Sequence, residues 1–405
     1  KTSKSSSSVK KQKETKLVVG IVVDQMRYDY LDRFWDDFGE DGFKRLIKEG
    51  FSFGNANFSY VPTFTGPGHA SIFTGTTPSI HGIISNSWFD KTSGKSIYCA
   101  GDGNTRTVCN CDANQKTIID VDGQMSPHHM LTTTIGDEMQ LFDSSTKVIG
   151  ISLKDRGAIL SAGHSADAAY WMNSGGEWIT SSFYMEDLPE WMKKYQDNNS
   201  VSRYMKGEWR VQGLFNYDLE SMYRTKGGAA IKSTPFGNTI LNDLAIKILK
   251  EEELGKRDPS DFLAISFSST DYIGHAHGPH SAEIKDTYIK LDQEISKLLQ
   301  ILDKRIGYDN LLVFLTADHG VVSEPHQLIE KKIPAGYFDK TACKESLNNY
   351  LIAKYGEGDW IRSFSNLQFF LNHELITSNN LQLWHVQQEC TDFLISLEGI
   401  KNTFT

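Results

Sequence analysis

Three stretches of the chain are apolar at consecutive positions and then run into a carboxylate. They are KLVVGIVVD (Lys16–Asp24), DFLAISFSSTD (Asp261–Asp271) and NLLVFLTADHG (Asn310–Gly320). Runs rich in Val and Ile without polar alternation predict strands buried on both faces, as in a parallel sheet. KVIGISL (Lys147–Leu153) repeats the pattern and is followed by Lys154. Between the second and third runs, Ile284, Tyr288, Leu291, Ile295, Leu298 and Leu302 recur at spacings of three and four. That spacing predicts one amphipathic helix, a crossover between parallel strands whose stripe packs on the core. Residues 165–232 are rich in Trp, Tyr and Gly with weak periodicity, which predicts an insertion over the sheet edge. No internal repeat is visible. The prediction is an α/β fold, and ligands of such open sheets bind at the C-terminal ends of the strands.

Composition narrows the function classes. At 405 residues the chain can bury a large core. Its apolar and charged fractions, 39% and 23%, are those of an ordinary globular protein. A formal net charge of -9 argues against a nucleic-acid partner. No apolar run approaches the ~20 residues that span a bilayer. Residues 1–15 are basic and serine-rich, which predicts a disordered leader. With no initiator Met and no apolar signal core, the expectation is a mature, processed form, periplasmic or secreted. Of five cysteines, Cys99, Cys109 and Cys111 lie in a Gly/Asn/Asp-rich loop, where a disulfide would suit an oxidising compartment. Cys343 and Cys390 stand apart. A zinc knot is disfavoured for want of a nearby fourth ligand.

The candidate chemistry sits at the strand ends. In VPTFTGPGHASIFTG (Val61–Gly75), Gly66, Pro67 and Gly68 predict a turn before a helical run. Thr65 would lie at the helix N-terminus, either as a cap or where backbone N–H groups favour an anion. Asp24, Asp271 with His275, and Asp318 with His319 are ligand-type residues at other strand ends. The Asp-x-x-x-His spacing brings carboxylate and imidazole to one cation if the turn is helical. Mixed Asp/His ligands suit zinc, with manganese or iron as alternatives. Two cations roughly 3.5–4 Å apart would activate the Thr65 hydroxyl and stabilise a leaving oxygen in an in-line displacement.

Six segments in order resemble the alkaline phosphatase superfamily, and within it the phosphate-insensitive alkaline phosphatases of the Flavobacteria type. They are VVDQMRYDYL, VPTFTGPGHASIFTG, SIHGIISNSWFD, ISLKDRGAILSAGH, STDYIGHAHGP and TADHG. The resemblance implies a three-layer αβα core with a largely parallel sheet and cap insertions. It divides the chain into core at 16–164 and 233–320, the 165–232 insertion, and a cap at 321–405. It implies that Asp24, Asp318, His319 and the Thr65 oxygen hold one zinc, and that Asp271 and His275 hold another. Asn86, Lys154 and Arg156 match positions that contact phosphoryl oxygens. A point charge and a planar donor fork suit a phosphate monoester dianion. The implied activity is hydrolysis of small-molecule phosphate monoesters by a monomer, through a phosphothreonine on Thr65.

One departure stands out. The family's third ligand to the Asp271/His275 metal is a more distal histidine, and no segment after Gly320 matches it. His277, His326, His373 and His385 are the alternatives, and the expectation is that the chain stops before the ligand and the last core strands. Other readings are a phosphodiesterase, nucleotide pyrophosphatase or phosphonate hydrolase on this fold, a metal-independent or manganese-dependent mutase, and an inactive metal- or phosphate-binding protein.

Overall fold

The computed structural model describes residues 14–110 and 121–405; most of the expected leader, and Cys111, fall outside that range. The chain divides into two compact units. One runs to Ile84 and resumes over Cys99–Val321; the other joins Ser85–Tyr98 to Val322–Thr405.

The first unit is built on a seven-stranded sheet. Its strands are β1 (Leu17–Val23), β2 (Thr107–Val108), β3 (Val148–Ser152), β4 (Ala168–Met172), β5 (Trp178–Ser181), β6 (Asp261–Phe267) and β7 (Leu311–Thr316). Their order across the sheet is β7-β1-β6-β3-β4-β5-β2. The first five of these are parallel, and the last two pair antiparallel. β3 and β6 are buried at every position, as their unbroken apolar runs require. Val23 of β1 lies opposite Phe267 of β6, and Val22 opposite Thr316 of β7. This register makes the segments that carry Asp24, Asp271 and Asp318 leave the sheet at one edge.

Five helices of this unit bear on the site: α1 (Thr65–Thr74), α2 (Asp155–Ala162), α3 (Phe236–Glu251), α4 (Ser269–His277) and α5 (Ala282–Arg305). α5 is the predicted crossover, and all six residues of its stripe are buried. The Ser281 hydroxyl accepts from the Ile284 N–H at its start, and Lys304 and Arg305 lie in its last turn.

Residues 165–232 supply β4 and β5 to the sheet and also a hairpin, Glu208–Val211 with Phe215–Asp218. AAYWM and WITS are buried throughout, so they show no alternation to mark them as strands.

The second unit has its own core, with Leu347, Leu351, Trp360 and Val386 at its centre. A cleft of about 1130 Å³ within it is lined by Phe364, Phe369, Phe370 and His373 among others. Cys109 is in a disulfide, whereas Cys99, Cys343 and Cys390 are free and buried. Among the described residues no helix is long and apolar enough to cross a membrane.

Candidate active site

Thr65 is the first residue of α1, and Phe64 occupies the cap position without a side-chain bond. The Thr65 hydroxyl therefore does not cap its helix. Its Oγ1 lies 3.4 Å from His319 Nε2. Gly66, Pro67 and Gly68 continue the helix where a turn was expected, because a proline is tolerated in the first turn. Gly68 serves a close approach: a Cβ there would collide with the Asp318 carbonyl oxygen.

Asp24 follows β1 and is fully buried, as is Asp318 beyond β7. Asp318 Oδ1 accepts from the backbone N–H groups of Gln25 (3.1 Å) and His319 (2.9 Å). Its Oδ2 is buried and accepts no hydrogen bond, and the same is true of Asp24 Oδ1. His69 Nδ1 lies 3.3 Å from Asp318 Oδ2 but is closer to the Thr65 carbonyl, at 2.8 Å. Both orphaned oxygens face His319 Nε2, at 3.4 Å from Asp24 Oδ1 and 3.8 Å from Asp318 Oδ2. His319 Nδ1 is 2.8 Å from the Gly320 carbonyl, an acceptor, so Nδ1 carries a proton and Nε2 is the ring atom turned to the cluster.

Asp271 lies in the first turn of α4, and His275 follows one turn later. The helical turn supplies the predicted pairing, with His275 Nε2 3.2 Å from Asp271 Oδ1. Ligand atoms of Asp24, Asp271 and His319 all lie within 4.8 Å of one another.

Lys154 was expected to face a phosphoryl group. Its buried ammonium reaches Asp24 Oδ2 at 2.7 Å and also binds Asp271 Oδ2, and it lies 5.1 Å from the centre of the Tyr272 ring. Arg156 lies in the first turn of α2, with Nη1 4.0 Å from Asp155. Asn86 belongs to the second unit.

The electrostatics follow from three carboxylates crowded at low solvent access. Burial, then the Asp318 charge, pushes Asp24 up to about 7. Burial also opposes ionisation of Asp318, but His319 and His69 outweigh it and hold that group at about 2. Asp271 is likewise held below the usual carboxylate range: burial works against it, and His275 and Lys154 overcome burial. Burial disfavours the Lys154 ammonium, yet Asp24 and Asp271 keep it charged. Three carboxylates meet one ammonium, and two buried oxygens lack a donor. That donor set fits a divalent cation.

Three of the four alternative histidines have carboxylate partners of their own. His277 Nδ1 lies 3.5 Å from Glu283 and its ring packs by Trp209 and Tyr217. His326 and His385 pair with Glu330 and Glu389, and His373 opens a short helix. Sequence reasoning missed Gln25 and His69. His69 spans from the Thr65 carbonyl to Ser266 Oγ, 2.8 Å from Nε2. Its signal was its place four residues after Thr65, on the same helical face.

Comparison with known proteins extends the geometry. A protein of Myroides odoratus named calcium-transporting ATPase is 40% identical over 419 residues, covering 96% of this chain and 75% of the relative. Alkaline phosphatase PafA of Elizabethkingia meningoseptica is 39% identical, covering 91% and 71%. A crystal structure of wild-type PafA superposes with a TM-score of 0.87 at 36% identity, covering 96% of this chain and 78% of that one. Residues 18–364 match the type I phosphodiesterase / nucleotide pyrophosphatase family. The chain belongs to that family, within the alkaline phosphatase superfamily.

Proposed function

We propose that the chain is an alkaline phosphatase that hydrolyses phosphate monoesters through a phosphothreonine on Thr65, with zinc as its metal. The relatives named alkaline phosphatase support the activity. The observation that carries the site is the convergence of the orphaned Asp24 Oδ1 and Asp318 Oδ2 on His319 Nε2, with Thr65 Oγ1 alongside. Asp24, Asp318, His319 and Thr65 would hold one ion, and Asp271 and His275 a second. A bound divalent ion lowers the pKa of a hydroxyl it touches and offsets charge on a leaving oxygen.

The chain's own residues do the rest. α1 fixes the Thr65 hydroxyl at a helix start, where backbone N–H groups favour an anionic phosphoryl group. Thr65 Oγ1 bonds to phosphorus as the ester bond breaks and the alcohol leaves; water then cleaves the Thr65 ester and regenerates the hydroxyl. Lys154 and Arg156, at the start of α2, supply positive charge to the phosphoryl oxygens. Such positioned charge is the main device of phosphoryl transfer. The Cys109 disulfide supports an oxidising compartment, periplasmic or extracellular.

The test is metal content together with mass spectrometry of protein quenched during turnover of a monoester. Phosphate on Thr65 is the expected result, and phosphate elsewhere or nowhere overturns the mechanism. The family's phosphodiesterase description favours one competing reading, so diesters and ATP belong in the substrate panel. Diester rates above monoester rates would replace the proposal with that reading.

A further inference from the structure

We infer that Gln25 is a positioning residue that ties the two ends of the candidate metal cluster together, an inference that rests on the reading of the site given above. Gln25 is 2% exposed and has a φ of 64°. That is the left-handed region, which residues with a Cβ rarely adopt. The Met26 N–H bonds back to the Val23 carbonyl at 3.3 Å, closing a turn with Gln25 at its third position. A positive φ at that position ordinarily calls for glycine or asparagine. Glutamine there is unfavourable for the backbone, so its side chain is the reason to look for.

The side chain has a defined task. Its Nε2 donates to Asp271 Oδ1 at 2.7 Å, while its backbone N–H donates to Asp318 Oδ1 at 3.1 Å. It also directly follows Asp24. One residue thus contacts or adjoins all three carboxylates. The far side of its amide is accommodated by Gly274, where a Cβ would collide with Oε1. With Lys154 on Oδ2 and Gln25 on Oδ1, the Asp271 carboxylate is fixed in rotation. Outer partners of this kind orient ligands and raise affinity.

The geometry makes Gln25→Gly the informative variant. It removes the amide but relieves the backbone, so relief at a positive φ offsets part of the stability lost with the buried bond. The experiment strips wild type, Gln25→Gly and Gln25→Glu with chelator, then measures melting temperature and zinc affinity by competition with a chromogenic chelator. It adds kcat and KM for a monoester. The expected result for Gln25→Gly is a metal-free fold that still melts cooperatively, zinc affinity weakened about 10- to 100-fold, and a loss in kcat larger than any change in KM. Gln25→Glu, which replaces a donor with a fourth carboxylate, should lose more activity than Gln25→Gly. Zinc affinity and kcat within twofold of wild type in Gln25→Gly would overturn the inference while leaving the site intact. Wild type that binds no zinc would overturn the underlying reading instead.

Discussion

The two ends of the candidate site are built differently. At one end, Asp24, Asp318, His319 and Thr65 come from the ends of two strands and the start of a helix. Their carboxylates are fully buried, and the His319 side chain is 10% exposed. At the other end, Asp271 and His275 lie one turn apart on α4, and the His275 side chain is 70% exposed. The first end is oriented by three chain segments that cannot move independently of the sheet. The second is oriented within one helical turn, and it depends on Gln25 and Lys154 to hold its carboxylate. Preorganisation therefore follows the number of separate backbone segments that fix each ligand, not the number of ligands alone.

The largest expected effect breaks the first end at Thr65, the proposed nucleophile. Thr65→Ala should lower kcat/KM more than a thousandfold, about 4 kcal/mol of transition-state stabilisation. Metal content should be retained, because Asp24, Asp318 and His319 remain. Thr65→Ser should keep part of the activity. A Thr65→Ala enzyme with half the wild-type rate would mean that the first end does not supply the nucleophile.

Next comes the residue that joins the two ends. Lys154→Ala and Arg156→Ala should each slow monoester hydrolysis by about 2–4 kcal/mol in kcat/KM, the scale of a preorganised donor. Diester hydrolysis should suffer less, since a diester presents one non-bridging oxygen fewer. Lys154→Ala has a second consequence at the protein level. It leaves Asp24 and Asp271 without their buried ammonium, so the metal-free protein should also lose stability, which Arg156→Ala should do to a smaller degree. Equal rate losses on both substrate classes would remove the case for a monoesterase.

A direct contrast of the ends uses their histidines. His319→Ala should weaken zinc binding at least tenfold more than His275→Ala, a difference of about 1.4 kcal/mol or more. The buried imidazole closes a group of orphaned oxygens, whereas the exposed one exchanges for water at little cost. Competition with a chromogenic chelator measures both. Equal losses would show that burial and backbone anchoring do not distinguish the ends.

Legibility in the sequence divides along the same line. Asp24 and Asp318 were visible because an unbroken apolar run feeding a carboxylate has a physical reading as a buried strand end. Asp271 and His275 were visible because a four-residue spacing is one helical turn. What supports them was hidden. The positive φ of Gln25 leaves no mark in composition, and its bonds reach across 246 and 293 residues. The placement of Lys154 between Asp24 and Asp271 depends on β3 lying next to β6 and β6 next to β1, an order that periodicity does not encode. β4 and β5 were passed over because short, wholly buried strands carry no alternation. The Gly-Pro-Gly segment suggested a turn by residue type, yet the same residues serve in the first turn of a helix that must approach Asp318 closely.

The smallest effect tests how far the rigidity of the first end extends along α1. Ser71 of that helix is 3.0 Å from His81 Nε2, and His81 Nδ1 accepts from the Ile83 N–H at 3.1 Å. Both ring nitrogens are thus committed in the neutral form. A proton added to Nδ1 would face an amide donor. Burial pushes His81 down to about 4 from its ordinary value of 6.5. As pH falls, the unfolded chain takes up the proton first. The contribution of His81 is therefore complete above pH 6.5 and is lost progressively as pH drops towards about 4. By pH 6 the loss should be below about 1 kcal/mol once solvent screening is allowed for. Urea unfolding of the metal-stripped protein between pH 7.5 and 5 checks it against His81→Gln, which keeps a polar side chain and cannot titrate. The wild-type curve should be the steeper in this window. Parallel curves would place the acid sensitivity elsewhere, and α1 would then owe its orientation to His69 and Gly68 alone.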